Sequence, residues 1–153
     1  TTGDPDRTLV DLALQCEKLR AIRRMADAYG VPLVVNARTD GYWLKLWDEQ
    51  RRLAETIERC NAFREAGADC LFVPGALDPK VIGTLAREIR GPLNILAMPG
   101  CPTIPELKAL GVRRVSEGSG PARAALAVAR DIADELLAKG TYTAYQSNAN
   151  PYA

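Results

Sequence analysis

A helical rhythm of apolar positions gives way repeatedly along this chain to a short unbroken apolar run. Four times a helix-like segment ends at glycine, aliphatic residues follow, and polar or turn-forming residues close the unit: YG/VPLVV/NARTDG, AGA/DCLFV/PGALD, RG/PLNIL/AMPGCP and LG/VRRVS/EGSGP. Glycine suits a helix C-terminus because the left-handed conformation costs it little. Short aliphatic and β-branched runs between such junctions predict strands buried on both faces, as in a parallel sheet.

The helices announce themselves by spacing and by their ends. Leu9, Leu12, Leu14, Leu19, Ile22 and Met25 recur among charges over residues 8–29, and Leu53, Ile57, Cys60 and Phe63 do so over 49–66. Residues 78–90 start with Asp78 placed to cap and Pro79 at the first helical position. A shorter helix over 103–110 has Thr103 before it and Pro105 in its first turn, and an Ala-rich helix over 121–139 stops at Gly140. The closing stretch TYTAYQSNANPYA has no period and reads as a tail that moves freely or is taken up by a partner chain.

The predicted order is one helix followed by four βα units, which implies a parallel α/β sheet with right-handed crossovers. A small doubly wound sheet and half of a (β/α)8 barrel both fit. A whole barrel takes about 250 residues and eight strands, so four strands cannot close one. On the barrel reading, residues 1–140 form the partial barrel and 141–153 its tail. Two unpaired parallel edges and an apolar inner face would then favour association. The chain is accordingly expected to be a fragment of a longer polypeptide, or to pair its edges with a second copy. Residue 1 is Thr rather than Met, in keeping with a processed or truncated product.

Composition narrows the function classes. With 153 residues, 47% apolar and 25% charged, the chain can bury one real core. Lys and Arg number 20 against 19 Asp and Glu, with the signs mixed, so nothing points to nucleic acid or an anionic membrane. The apolar runs fall well short of the ~20 residues that span a bilayer, and no leader pattern opens the chain. Cys16, Cys60, Cys70 and Cys101 are widely spaced and no histidine is present, which argues for free cytoplasmic thiols over a zinc site.

In either architecture the chemistry belongs at the carboxyl ends of the strands, where NARTDG follows VPLVV. Arg38 offers a rigid fork of donors that matches a carboxylate or phosphate; an ion pair with Asp40 or Glu117 is the structural alternative. Asn36 and Thr39 suit orienting the arginine, binding a ligand or capping a turn, and Asp40 suits pairing with Arg38 more than holding a metal-bound water. Asn94 interrupts the apolar run PLNIL, and a buried amide without partners costs about 1–3 kcal/mol; a substrate oxygen or neighbouring backbone would satisfy it. Arg114 and Ser116 close the fourth run, ahead of Gly118, Ser119 and Gly120, where helix-start amides favour anions or simply form a tight turn. Cys101 lacks a histidine to activate it and reads as a core or turn thiol. Trp43 and Trp47 suit a lid, packing or a subunit contact. Asp48, Asp131, Asp134 and Glu135 share no metal spacing and read as solvated.

Taken together, VVNARTDGYW, REAGADCLFVPG, GPLNILAMPG and GVRRVSEGSGPARAAL resemble the isocitrate lyase and phosphoenolpyruvate mutase superfamily, in particular its carboxyvinyl-carboxyphosphonate phosphorylmutase-like or methylisocitrate lyase-like branch. The motifs follow in order over residues 8–140, and ARTD carries most of the likeness. The resemblance implies the C-terminal half, strands 5 to 8, of a (β/α)8 barrel. It also implies a homo-oligomer, dimer or tetramer, with an exchanged C-terminal helix. The implied activity is an Mg2+-dependent lyase or mutase acting on C–C or P–C bonds of small 2-oxo acids or phosphonates through an enolate. Arg38 would grip a substrate carboxylate, with Asn94 also touching substrate and Asn36, Arg114 and Ser116 completing the pocket. The family's metal-binding aspartates and its Lys-Cys-Gly-His loop lie in the first half of the barrel and have no counterpart here, so the Mg2+ ligands are expected in the missing N-terminal half. After the sixth strand, where lyases place glutamate and mutases histidine, this chain reads VPGA at 73–76. A non-catalytic anion-binding or assembly module that needs another chain is the alternative reading.

Overall fold

The computed structural model describes residues 9–145. It falls into two compact units, Thr1–Ser116 and Glu117–Ala153, each considered by itself. The first runs α1 (Leu12–Ala28), β1 (Asn36–Arg38), α2 (Glu49–Glu65), β2 (Cys70–Val73), α3 (Pro79–Glu88), β3 (Leu93–Leu96), α4 (Ile104–Ala109), β4 (Arg114–Ser116). The strands form one parallel sheet in the order β1-β2-β3-β4, which is the arrangement of half a (β/α)8 barrel.

Local chemistry explains the helix boundaries. The Asp78 carboxylate accepts from the amides of Lys80 and Val81, with Pro79 beside it. Thr103 and Glu106 form a reciprocal capping box at α4. Asp48, expected to be merely solvated, accepts from the Arg51 amide and caps α2. Its side chain satisfies an amide that the helix itself leaves orphaned.

Strand faces divide cleanly. Ala37, Leu71, Val73, Leu93 and Ile95 are buried and join Cys60 and Phe63 of α2, Val81, Ile82 and Leu85 of α3 and Leu107 of α4 in one core. Asn36, Arg38, Cys70, Phe72, Asn94, Leu96, Arg114 and Ser116 share the opposite face, because residues alternate sides along a strand. The expectation of an apolar inner face is therefore corrected: the face away from the helices is largely polar, and both Arg38 and Arg114 are exposed on it.

The run VPLVV is also shifted. Its expected strand over 31–35 lies outside the ladder, which starts at Asn36, and Val34 is 75% exposed. Pro32 has no amide to donate, and among the described residues β1 pairs with β2 alone, so the run meets the backbone of the β2 segment only at its end, where the Val35 carbonyl accepts from the amides of Asp69 and Cys70.

Asp69 ties this edge down. Its carboxylate accepts from the Val35 amide and from Arg23 of α1, while Arg23 also donates to the carbonyls of Leu33 and Gly67. The Val35 amide, followed by Arg23, holds the Asp69 carboxyl below its usual range despite the opposing effect of desolvation. A depressed folded pKa contributes stability above the unfolded value of about 3.9 and loses it as pH falls through the folded value. Lowering pH from 7 to 3 should thus release β1 early, seen as faster exchange of the Val35 amide, and Asp69→Asn should remove that pH step.

In the second unit, α5 (Gly120–Lys139) ends at Gly140 with φ 68, the left-handed conformation that favours glycine. Glu135, expected to be solvated, instead accepts from the hydroxyls of Thr141 and Thr143 and the amides of Thr143 and Ala144. These donors, the Thr141 hydroxyl foremost, pull its carboxyl down to about 2. The tail, expected to be mobile or taken up by a partner chain, bonds to Glu135 as far as Ala144, and residues 146–153 lie outside the described residues. Among the described residues no helix is long and apolar enough to cross a membrane.

Candidate active site

The sheet register aligns Arg38, Phe72, Asn94 and Arg114, one from each strand, in a single row on the face away from the helices. At about 4.8 Å between parallel strands, the Cα atoms of Arg38 and Asn94 stand roughly 10 Å apart, with Phe72 between them. Asn36 and Cys70 lie one layer below and Leu96 and Ser116 one layer above. The row ends β1 but begins β4, a stagger of the kind that barrel closure requires.

Arg38 is held from several sides. Its Nε donates to Asp40 Oδ1 at 2.6 Å, and its guanidinium carbon lies 5.7 Å from the Phe72 ring centroid and 5.9 Å from that of Trp43. Asp40 is nearly buried, whereas the Arg38 side chain is 47% exposed. Pairing through Nε leaves the Nη1/Nη2 edge of the fork for an anion, so the ion pair and an anchoring role are compatible.

Asn94 is completely buried, and its amide meets the Ser116 hydroxyl, with Nδ2 to Oγ at 3.0 Å and Oγ to Oδ1 at 3.2 Å. The polar interruption of PLNIL is therefore satisfied by a side chain on the next strand. Asn94→Ala or Ser116→Ala should each destabilise the protein by about 1–3 kcal/mol, because each leaves a polar group unpaired. The double variant should lose less than the sum in urea denaturation, since both changes break the same pair. The Arg114 side chain lies beside Asn94 in the register and makes no hydrogen bond or ion pair among the described residues.

The loops after β1 and β2 meet at the rim. Gly75 has φ +85, and a Cβ placed there would come within 2.9 Å of the Trp43 backbone. The stretch VPGA thus supplies close packing for the loop that carries Trp43. Behind it, Arg52 donates to the carbonyls of Leu46 and Trp47, where Lys45 and Trp47 take positive φ of 53 and 57. Burial above all pushes the Tyr42 hydroxyl up to about 12, against the pull of Arg52, so it stays protonated at neutral pH.

Thiol chemistry finds no support. Cys60 is pushed up to about 12 by burial, and Cys70 and Cys101 are raised for the same main reason, which disfavours the nucleophilic thiolate. Among the described residues no three Cys, Asp or Glu side chains gather to hold a metal ion. Phe72 was not singled out from sequence; its place two residues after Cys70 in DCLFV was the available signal.

The sequence matches the phosphoenolpyruvate phosphomutase family over residues 1–137. The chain belongs to that family. An uncharacterized protein of Mycobacterium tuberculosis is 42% identical over 118 residues, 77% of this chain and 43% of the relative. The phosphoenolpyruvate phosphomutase of Streptomyces hygroscopicus is 32% identical over 133 residues, 84% of this chain and 40% of that protein. A Burkholderia cenocepacia structure assigned as a lyase/mutase superposes with TM-score 0.85 at 34% identity, over 99% of this chain and 54% of its own. The 2,3-dimethylmalate lyase structure, a member of the PEP mutase/isocitrate lyase superfamily, gives 0.74 at 26%, over 88% and 48%. This member of the phosphomutase family thus spans about half the length of the relatives it matches, as expected of half a barrel.

Proposed function

We propose that this chain is the C-terminal half of an Mg2+-dependent lyase or mutase that cleaves or rearranges C–C or P–C bonds of small 2-oxo acids or phosphonates through an enolate. The observation that carries the reading is the row of Arg38, Asn94 and Arg114 on one face, with Ser116 a layer above and bonded to Asn94. In the proposed site the Nη edge of Arg38 binds the substrate carboxylate, Asn94 orients the Ser116 hydroxyl, and Arg114 supports the far side of the pocket. Asn36 lies a layer below Arg38, its buried Oδ1 without a hydrogen-bond partner among the described residues, and is assigned to substrate binding. Donors fixed before reaction stabilise charge as it develops on the enolate oxygen without reorganising.

Among the described residues no side chains gather to hold an Mg2+ ion. Its ligands belong, on this reading, to the other half of the barrel. The exposed Leu126 and Leu137 of α5 suit a helix exchanged between copies of a cytoplasmic homo-oligomer, dimer or tetramer.

The test is turnover of 2-oxo-acid and phosphonate substrates, with and without Mg2+, by the full polypeptide that carries these residues. Mg2+-dependent product formation lost in Arg38→Lys is the expected result. Carboxylate binding indifferent to Mg2+, without turnover, would instead favour a non-catalytic anion-binding or assembly module.

A further inference from the structure

We infer that Trp43 is a positioning residue: together with Phe72 it clamps the Arg38 guanidinium so that the Nη edge stays presented to an anion. The inference rests on the anion-site reading of Arg38 and extends it to a side chain outside the row.

Three observations place Trp43 in this role. Its ring lies within cation–π range of Arg38, as does that of Phe72, while Asp40 fixes Nε. An arginine on a flexible stem loses much rotamer freedom when it binds a ligand, and contacts with the Trp43 and Phe72 rings and at Nε remove that freedom beforehand. The loop carrying Trp43 is also held in a demanding conformation. Lys45 and Trp47 both have positive φ, and such backbone persists only where surrounding structure enforces it. Here the enforcement comes from Arg52 on one side and Gly75 on the other, the latter admitting the Trp43 backbone at a distance no side chain would allow. Finally, Trp43 is 47% exposed and is not part of the hydrophobic core cluster. Its contact with Arg38 is what the loop geometry secures.

The experiment follows the Arg38 Nε–H signal by NMR in the full polypeptide, first without ligand and then during titration with oxalate. In Trp43→Leu the ligand-free signal should lose its ring-current shift and its order, and oxalate should bind about three- to tenfold more weakly. The thermal midpoint should hardly move. Trp43→Tyr, which keeps an aromatic face, should restore both the order and most of the affinity. A ligand-free Nε signal unchanged in Trp43→Leu, or no recovery of its order in Trp43→Tyr, would overturn the inference. Failure of the wild-type protein to bind oxalate would instead strike at the anion-site reading, and the ligand-free signal would still decide the clamp.

Discussion

Gly75→Ala should lower the thermal midpoint by roughly 5–10 °C, a loss of a few kcal/mol in a chain of this size. Two penalties combine. At φ +85 an alanine is strained by about 1–3 kcal/mol wherever it sits. The new Cβ would also meet the Trp43 Cα and nitrogen at 2.9 Å and the Tyr42 carbonyl carbon at 3.0 Å. These are backbone atoms, so relief requires the loop after β1 to move bodily. Gly100→Ala is the matched control: its φ is +88, yet its Cβ would meet only Leu77 Cδ1, at 3.8 Å. The Gly100 variant should show the strain alone, and the difference between the two midpoints isolates the clash. Because the displaced segment carries Trp43, Gly75→Ala should also disturb the Arg38 contact, whereas Gly100→Ala should leave it intact.

Arg38→Lys should weaken binding of small carboxylates by about 10- to 100-fold, measured by calorimetry. Charge is conserved in this change, so the loss reports geometry. Lysine presents one ammonium in place of a planar fork and cannot bond Asp40 through one nitrogen while offering two more to a ligand. Charge-assisted hydrogen bonds contribute about 1.5–3 kcal/mol each, and losing one of a bidentate pair corresponds to the stated range. Arg38→Ala should bind no better than Arg38→Lys. A lysine variant with wild-type affinity would mean that the fork points away from the ligand and serves only Asp40.

The helices were legible in the sequence because their signals are local. Asp78 with Pro79, Thr103 and Gly140 each lie within a turn of the boundary they set. Asp48 carried the same kind of signal, an acidic residue immediately before a helical stretch, and weighing it for metal binding hid its role as a cap. The order of βα units and the placing of Arg38, Asn94, Arg114 and Ser116 after or within strands were legible too, since glycine junctions and aliphatic runs mark strands directly. Register was not. Which residue of one parallel strand faces which of the next depends on packing across segments distant in the chain, so the Asn94–Ser116 bond and the place of Phe72 between Arg38 and Asn94 had no local signature. The VPLVV run misled because hydrophobicity alone does not supply a hydrogen-bonding neighbour, and among the described residues β1 is paired only with β2.

The most direct measurement is a titration of the protein with oxalate, followed by NMR on the side-chain N–H signals of arginine and asparagine. If the polar face is an anion site anchored by Arg38, saturable shifts should appear at Arg38 Nε and, through Ser116, at Asn94 Nδ2. Shifts confined to other arginines, or none at millimolar oxalate, would contradict it.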